Sequence, residues 1–224
     1  MKIKHGITNI IKKYKHAWVF LYAFIYLPWF MYLEKNITIH SEFHVIHAEI
    51  DDKIPFIEYF IIPYFLWFVF VLAVFLYFFF TNIEEFYKLA KLSFIGMTLF
   101  LLISTIFPNG VELRPIEFTR DNIFIDMVKF LYRADTPTNV FPSLHVFNSV
   151  AASIAIYESQ ELKKHRYICI GAYILTGFII LATMFLKQHS VIDVIGGLLM
   201  SYVLYQFIYV TEKKKVLKVY EQGI

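Results

Sequence analysis

Six long apolar runs restrict what this chain can fold into. They cover roughly residues 17–33, 57–80, 88–107, 142–157, 167–186 and 190–210. A helix needs about 20 mostly apolar residues to cross a bilayer. Hydrophobic residues make up 58% of the 224 positions and charged residues 17%, more apolar surface than a soluble domain of this length can bury. The sequence therefore predicts an all-α bundle of six transmembrane helices, forming a single domain over residues 1–224.

The fourth run, 142–157, differs from the others because it is short and partly polar. It contains Ser143, His145, Asn148 and two further serines. Lipid cannot satisfy such groups, so they are expected to face protein or a water-filled cavity.

The distribution of positive charge predicts the orientation. With the N-terminus in the cytoplasm, 14 of the 21 lysines and arginines lie on the inner side of the spans, as the positive-inside rule requires. We therefore expect a multi-pass protein of the cell membrane with both termini cytoplasmic and the loops 34–56 and 108–141 outside. The first run is interpreted as a retained signal anchor, and the tail 211–224 as a basic helix on the inner leaflet.

The composition argues against several partners. The net charge of +3 comes from basic residues between apolar runs, so nucleic acid is not expected as a partner. His40, His44 and His47 have a spacing that would suit a metal site. A surface helix that buries Ile39 and Ile50 explains the same spacing, and we predict neither a metal site nor a cofactor.

Two ionisable clusters occur at ends of spans that face the same, outer side. In the segment 139–145, Ser143 adds a hydroxyl to the free N–H groups of a helix start, which can bind an anion. In the segment 187–193, His189 and Asp193 are four residues apart. A carboxylate that accepts the Nδ1 proton of a histidine leaves Nε2 available as a nucleophile or base.

Arg114 lies in the outer loop after the third span, and its guanidinium suits phosphate oxygens. Together, His145, His189 and Asp193 with these donors supply what phosphoryl transfer needs without a metal. One histidine attacks phosphorus, the other protonates the leaving oxygen, and the cations neutralise the remaining oxygens.

These motifs resemble the type 2 phosphatidic acid phosphatase superfamily. The Pro-Ser-x-His signature is present as residues 142–145, the His-x-x-x-Asp signature as 189–193, and Arg-Pro as 114–115. The resemblance implies a phosphohistidine on His189, Asp193 as its partner, and His145 as general acid. It also implies that Ser143 and Arg114 hold the phosphate.

The chain departs from the family pattern at four positions. Phe107 and Thr183 stand where a lysine and an arginine are usual, Ala182 stands where a serine is usual, and Leu144 replaces a glycine. Lys187 is the expected replacement for one missing cation. Arg120 or Arg133 is expected to supply the other.

The predicted activity is that of a metal-independent lipid phosphatase, a hydrolase of phosphoric monoesters or pyrophosphates, acting at the extracytoplasmic face of the bilayer. The Pro-Ser-Leu-His form also resembles phosphotransferases of the inositol phosphorylceramide synthase type, in which a second alcohol replaces water. A non-catalytic phospholipid transporter or flippase is the alternative of another class. Transport predicts polar residues at several mid-span positions, whereas here polarity concentrates at the outer span ends.

Overall fold

The computed structural model describes residues 13–212, so nearly all of the predicted basic tail lies outside the described residues. Within this range the chain forms eight helices and two short strands. The helices are α1 (Ala23–Asn36), α2 (Glu49–Lys53), α3 (Ile61–Thr81), α4 (Ile83–Ile106), α5 (Ile123–Ala134), α6 (Leu144–Glu158), α7 (Arg166–Phe185) and α8 (Val191–Tyr205), and the strands are β1 (His44–Val45) and β2 (Asn109–Gly110). Segments of 3-10 helix precede α1 (Lys15–Tyr22), α3 (Glu58–Phe60) and α7 (Leu162–Lys164), and a π turn (Gln206–Val210) follows α8.

Five helical segments of the described chain are long and apolar enough to cross a membrane. They are Lys15–Asn36, Glu58–Thr81, Ile83–Ile106, Arg166–Phe185 and Val191–Val210. All five coincide with predicted runs, and the largest difference is that α4 begins at Ile83 rather than at residue 88. The remaining predicted run, 142–157, forms α6, whose 15 residues are fewer than a full crossing requires. The all-α membrane-type bundle is confirmed, with five long apolar candidate spans among the described residues, and the predicted number of exactly six spans is not confirmed.

The hairpin between α3 and α4 shows why the helices break where they do. Asn82 has an extended backbone, and its side chain accepts hydrogen bonds from the N–H groups of Glu84 and Glu85, both at 3.1 Å. This N-cap satisfies two of the free donors at the start of α4. The acidic side chains of Glu84 and Glu85 in the first turn also suit the positive end of the helix dipole.

Helix α6 occupies the centre of the bundle and packs against α3, α4, α7 and α8. Its polar residues Asn148, Ser149 and Ser153 are all buried. The Ser153 hydroxyl lies 2.8 Å from that of Thr176 on α7. The expectation that the polar run faces protein is confirmed, because neighbouring helices rather than lipid surround it.

The segments 37–57 and 107–143, with the loop 186–190, lie at one end of the bundle, called the loop end below. There β1 pairs in parallel with β2, and the N–H of Ile46 donates to the carbonyl of Gly110 at 2.7 Å. The predicted surface helix around residues 39–50 is wrong. Strand pairing takes the backbone groups that a helix would use, and Ile39 and Ile50 are 62% and 53% exposed.

Helix α5 belongs to the loop end and was not predicted. Asn122 caps it by accepting hydrogen bonds from the N–H groups of Phe124 and Ile125, both at 3.0 Å. Its apolar face buries Ile125, Val128 and Leu131, which anchors the long loop before α6 to the bundle.

Candidate active site

A cavity of about 420 Å³ lies at the loop end, between α1, α3 and the start of α6. His145 and His189 both line it, together with Gln188 and the two carboxylates Glu34 and Asp135. Most of the remaining wall is aromatic. Among the described residues that line this cavity there is neither a lysine nor an arginine. Its chemistry therefore rests on imidazole, amide and carboxylate groups.

His189 is held at the start of α8 by the cap of that helix. Ser190 is the N-cap residue, and its N–H donates to Asp193 Oδ2 at 2.9 Å. The same Oδ2 lies 3.4 Å from Nδ1 of His189, and Asp193 is fully buried. A carboxylate accepts only, so this contact orients the ring with its proton on Nδ1 and Nε2 directed away from Asp193.

His145 is the second residue of α6, and its ring packs against two aromatic side chains of α3. The ring centroids of Tyr64 and Trp67 lie 4.6 and 4.4 Å from that of His145. Nδ1 of His145 is 3.4 Å from Nε2 of His189. The two imidazoles predicted from separate motifs therefore meet, and their facing nitrogens border the same cavity.

Ser143 ties the starts of α6 and α8 together. It is fully buried, its Oγ caps α6 by accepting from the N–H of Val146 at 3.4 Å, and its own N–H donates to the carbonyl of Asp193 at 3.0 Å. This close approach depends on Gly197, because a Cβ there would lie 2.7 Å from the Ser143 carbonyl oxygen. The structure thus places Ser143 behind the histidines as a helix cap.

Arg114 lies beside the cavity wall and binds the loop around it. Its guanidinium donates to the carbonyls of Tyr132 at 3.1 Å and Asp135 at 2.7 Å, and to Oε1 of Gln188. It also stacks on the Tyr132 ring, 4.4 Å from its centroid. Burial lowers the pKa of Arg114, with Asp135 acting in the opposite direction, and a guanidinium remains charged at neutral pH.

Gln188 is a site residue that the motifs did not reveal. It is 2% exposed and lines the cavity next to His189. Arg114 only donates, so Oε1 of Gln188 must face Arg114 and Nε2 must point elsewhere. That Nε2 is buried and has no hydrogen-bond partner. The arrangement leaves one orphaned donor beside His189, and adjacency to His189 in the sequence was the only signal for it.

Lys187 lies outside the cavity wall. Its Nζ donates to the backbone carbonyl of Asp51 at 2.6 Å, and the side chain is buried. Burial lowers the pKa of Lys187, while Asp51 and Asp52 act in the opposite direction. The backbone of Lys187 is left-handed, with φ of 54°, which is uncommon for a residue with a side chain.

Asp51 is a second residue that sequence reasoning missed. Its Oδ2 accepts from the Ser190 hydroxyl at 2.5 Å, and its Oδ1 accepts from the N–H of Val191 at 2.9 Å. The carboxylate is 1% exposed. Helix α2 therefore clamps the loop that carries His189, from a segment far away in the sequence that contains no recognisable motif.

The two arginines expected to replace a missing cation lie away from the histidines. Arg120 forms an ion pair with Glu58 at 3.1 Å, and Arg133 is exposed on α5. Thr183 stands where the family has its arginine. Its backbone carbonyl accepts hydrogen bonds from the N–H groups of Gln188 and His189, at 2.9 and 3.1 Å. That residue shapes the His189 loop through its backbone.

Comparison with protein families gives one match. Residues 115–217 match the family model described as the PAP2 superfamily, and this range contains both histidines and Asp193. The match confirms the resemblance drawn from the motifs. Comparisons with curated proteins and with solved structures found no significant match.

Proposed function

We propose that this chain is a metal-independent membrane enzyme that works through a phosphohistidine on His189. The PAP2 superfamily match over residues 115–217 supports phosphatase- or phosphotransferase-type activity on lipid phosphates. The observation that carries the proposal is the position of His189 between Asp193 and His145, with each neighbouring atom 3.4 Å from a ring nitrogen. This is the relation that a nucleophile needs to an orienting acid and a proton donor.

In the first step Nε2 of His189 attacks phosphorus, and the bond from phosphorus to the leaving oxygen breaks. Protonated His145 gives its proton to that oxygen, and a lipid alcohol departs. Asp193 holds Nδ1–H and stabilises the charge on the ring of His189. In the second step water attacks the phosphohistidine, His145 takes the proton of that water, and inorganic phosphate leaves as Nε2 becomes free.

Substrate binding must separate the two rings. Reacting atoms lie about 3–3.5 Å apart before attack, which equals the present distance between the facing nitrogens, 3.4 Å. An in-line leaving oxygen lies one bond beyond phosphorus, so His145 has to turn away from His189 to reach it. Its tilted ring contacts with Tyr64 and Trp67 hold His145 by packing without a directional bond, which permits such a turn.

The phosphate oxygens are bound by donors near the two histidines. Nε2 of Gln188 is a free donor, and Arg114, through the Oε1 of Gln188, polarises the amide. The first N–H groups of α6, beginning at the Ser143 cap, add a helix N-terminus. Preorganised donors of this kind stabilise charge that develops in the transition state. Lys187 contributes through the Asp51 contact that fixes its loop.

The lipid part of the substrate fits an apolar groove next to the cavity. The groove has a volume of about 400 Å³, lies between α1, α3 and α4, and shares Tyr26, Trp67 and Phe68 with the cavity wall. A chain that follows it from the histidines runs from the loop end toward the middle of the bundle. With the positive-inside orientation, the histidines face the extracytoplasmic leaflet and both termini face the cytoplasm.

The test is release of inorganic phosphate from a panel of lipid phosphates in detergent micelles. We expect turnover by the wild type, unchanged in EDTA, and a loss of at least about 10³-fold in His189→Ala. His145→Ala should lose activity less on substrates with a good leaving group, because these need less protonation. A control is His165→Ala, a histidine between Lys164 and α7 and remote from the cavity. Turnover that survives His189→Ala contradicts the proposal.

A further inference from the structure

The wall of the cavity that includes Glu34, Asp135 and Asn139 carries a group of hydrogen-bond acceptors. Glu34, at the end of α1, accepts from the Thr136 hydroxyl at 2.5 Å and from Nδ2 of Asn139 at 2.7 Å. A carboxylate only accepts, so the amide of Asn139 is fixed with Oδ1 on its other side. Asn139 is 6% exposed, and this Oδ1 has no hydrogen-bond partner. A buried acceptor without a partner is costly unless a ligand supplies a donor.

Asp135 extends this wall toward the catalytic pair. Its Oδ2 accepts from the hydroxyl of Tyr64 at 2.8 Å, and the ring of Tyr64 packs on His145. Asp135 also lines the cavity. The acceptors therefore lie on the His145 side, where the leaving or entering oxygen of the reaction must be.

The charges of the wall select the kind of group that fits there. Glu34 and Asp135 are both carboxylates, and the described part of the cavity wall has no lysine or arginine. A phosphate group placed between these two carboxylates would meet repulsion from both, so the phosphate belongs at His189 and Gln188 instead. A hydroxyl or ammonium group meets acceptors with free lone pairs, and the aromatic wall favours a cation further.

We propose that Glu34, Asp135 and Asn139 form a subsite for a hydroxyl- or ammonium-bearing polar group beside the phosphoryl site. The subsite rests on the proposed function, because it places that group next to the phosphorus attacked by His189. The group belongs either to the headgroup of a phosphodiester lipid or to an alcohol acceptor. As acceptor, its oxygen bonds to phosphorus of the phosphohistidine, the bond to Nε2 breaks, and His145 takes the hydroxyl proton.

Binding by the inactive His189→Ala protein tests the subsite separately from turnover. Dissociation constants are measured for phosphatidic acid, phosphatidylethanolamine and phosphatidylinositol in micelles, with and without Glu34→Gln. We expect Glu34→Gln to weaken the binding of phosphatidylethanolamine at least about tenfold relative to that of phosphatidic acid, because a charge-assisted hydrogen bond is lost. The binding of phosphatidylinositol should weaken less, since the amide oxygen of the new glutamine still accepts a hydrogen bond from a hydroxyl.

Glu42→Gln is the matched control, because Glu42 is an exposed acid at the same end of the bundle, and it should leave the ratios unchanged. Asp135→Asn repeats the test if Glu34→Gln does not fold. Ethanolamine or inositol added to the wild type with phosphatidic acid identifies an acceptor role by formation of the exchanged lipid. Equal weakening for all three lipids, or none, overturns the subsite. Failure of the proposed function would instead appear as absence of His189-dependent turnover while the Glu34-dependent binding persists.

Discussion

Nε2 of His189 faces Nδ1 of His145 at 3.4 Å, although 44 positions separate the two histidines in the chain. Each ring is held on its other side by different chemistry. Asp193 lies against Nδ1 of His189, and the rings of Tyr64 and Trp67 pack against that of His145. One ring is thus fixed electrostatically and the other by packing alone, which is the asymmetry expected of a fixed nucleophile and a proton donor that must move.

The role of Asp193 is tested by Asp193→Asn. The amide keeps the size of the side chain but can donate to Nδ1, which favours the wrong tautomer of His189. We expect kcat to fall about 10²- to 10⁴-fold with little change in KM, as for the orienting acid of a catalytic triad. Asp52→Asn is the control, because Asp52 is an exposed acid. A kcat within threefold of the wild type would mean that Asp193 serves only as a helix cap.

The orphaned amide of Gln188 is tested by Gln188→Glu. The new carboxylate keeps an acceptor for Arg114 but removes the Nε2 donor and adds charge where phosphate should bind. We expect kcat/KM to fall about 10²- to 10³-fold while the midpoint of thermal unfolding stays the same or rises. Parallel losses in activity and unfolding temperature would indicate a structural role instead.

The contact between α6 and α8 is tested by Gly197→Ala. A Cβ at this position would meet the backbone carbonyl of Ser143 at 2.7 Å, which a side-chain rotation cannot relieve. Overpacking of this kind costs about 1–3 kcal/mol, and the shift should also separate His145 from His189. Gly177→Ala is the control, because an added Cβ there meets nothing within 4 Å and Ala is the better helix former. We expect lower stability and activity for the first variant only.

The clamp on the His189 loop is tested by Asp51→Ala. This change leaves the Ser190 hydroxyl and the Val191 N–H without their acceptor, and buried donors that lose an acceptor cost about 1–3 kcal/mol each. We expect a lower midpoint of thermal unfolding in detergent and a lower kcat. Asp52→Ala should leave both unchanged, and an equal effect of the two substitutions would remove the basis for the clamp.

The sequence predicts the bundle and the meeting of His145 with His189 for a simple physical reason. Apolar runs of span length fix the helices, and alternation across the bilayer puts the start of α6 and the start of α8 at the same end. His145, His189 and Asp193 lie at those starts, so their convergence follows from topology. The helical boundaries agree because the caps Ser143 and Ser190 stand at the beginning of the apolar runs.

The rest of the site depends on the loops, where pattern gives less information. Residues near 44 form a strand because β2 supplies a partner, and no local periodicity encodes that pairing. Asp51 reaches the His189 loop through this loop folding, and Glu34 meets Thr136 and Asn139 only because the loop before α6 folds back on the end of α1, so neither contact could be read from spacing. Helix α5 did have a signal, since Ile125, Val128 and Leu131 follow a helical period. Lys187 was predicted to bind phosphate from its place in the chain, and that role stays a prediction.

The central claim is tested most directly by trapping the covalent intermediate. Wild-type protein is mixed with a ³²P-labelled lipid phosphate that it turns over, quenched in alkali within one turnover, and digested to locate the label. The account predicts an alkali-stable, acid-labile phosphoryl group on the peptide that contains His189, and no label in His189→Ala. Turnover without a labelled protein, or label on a different residue, would contradict it.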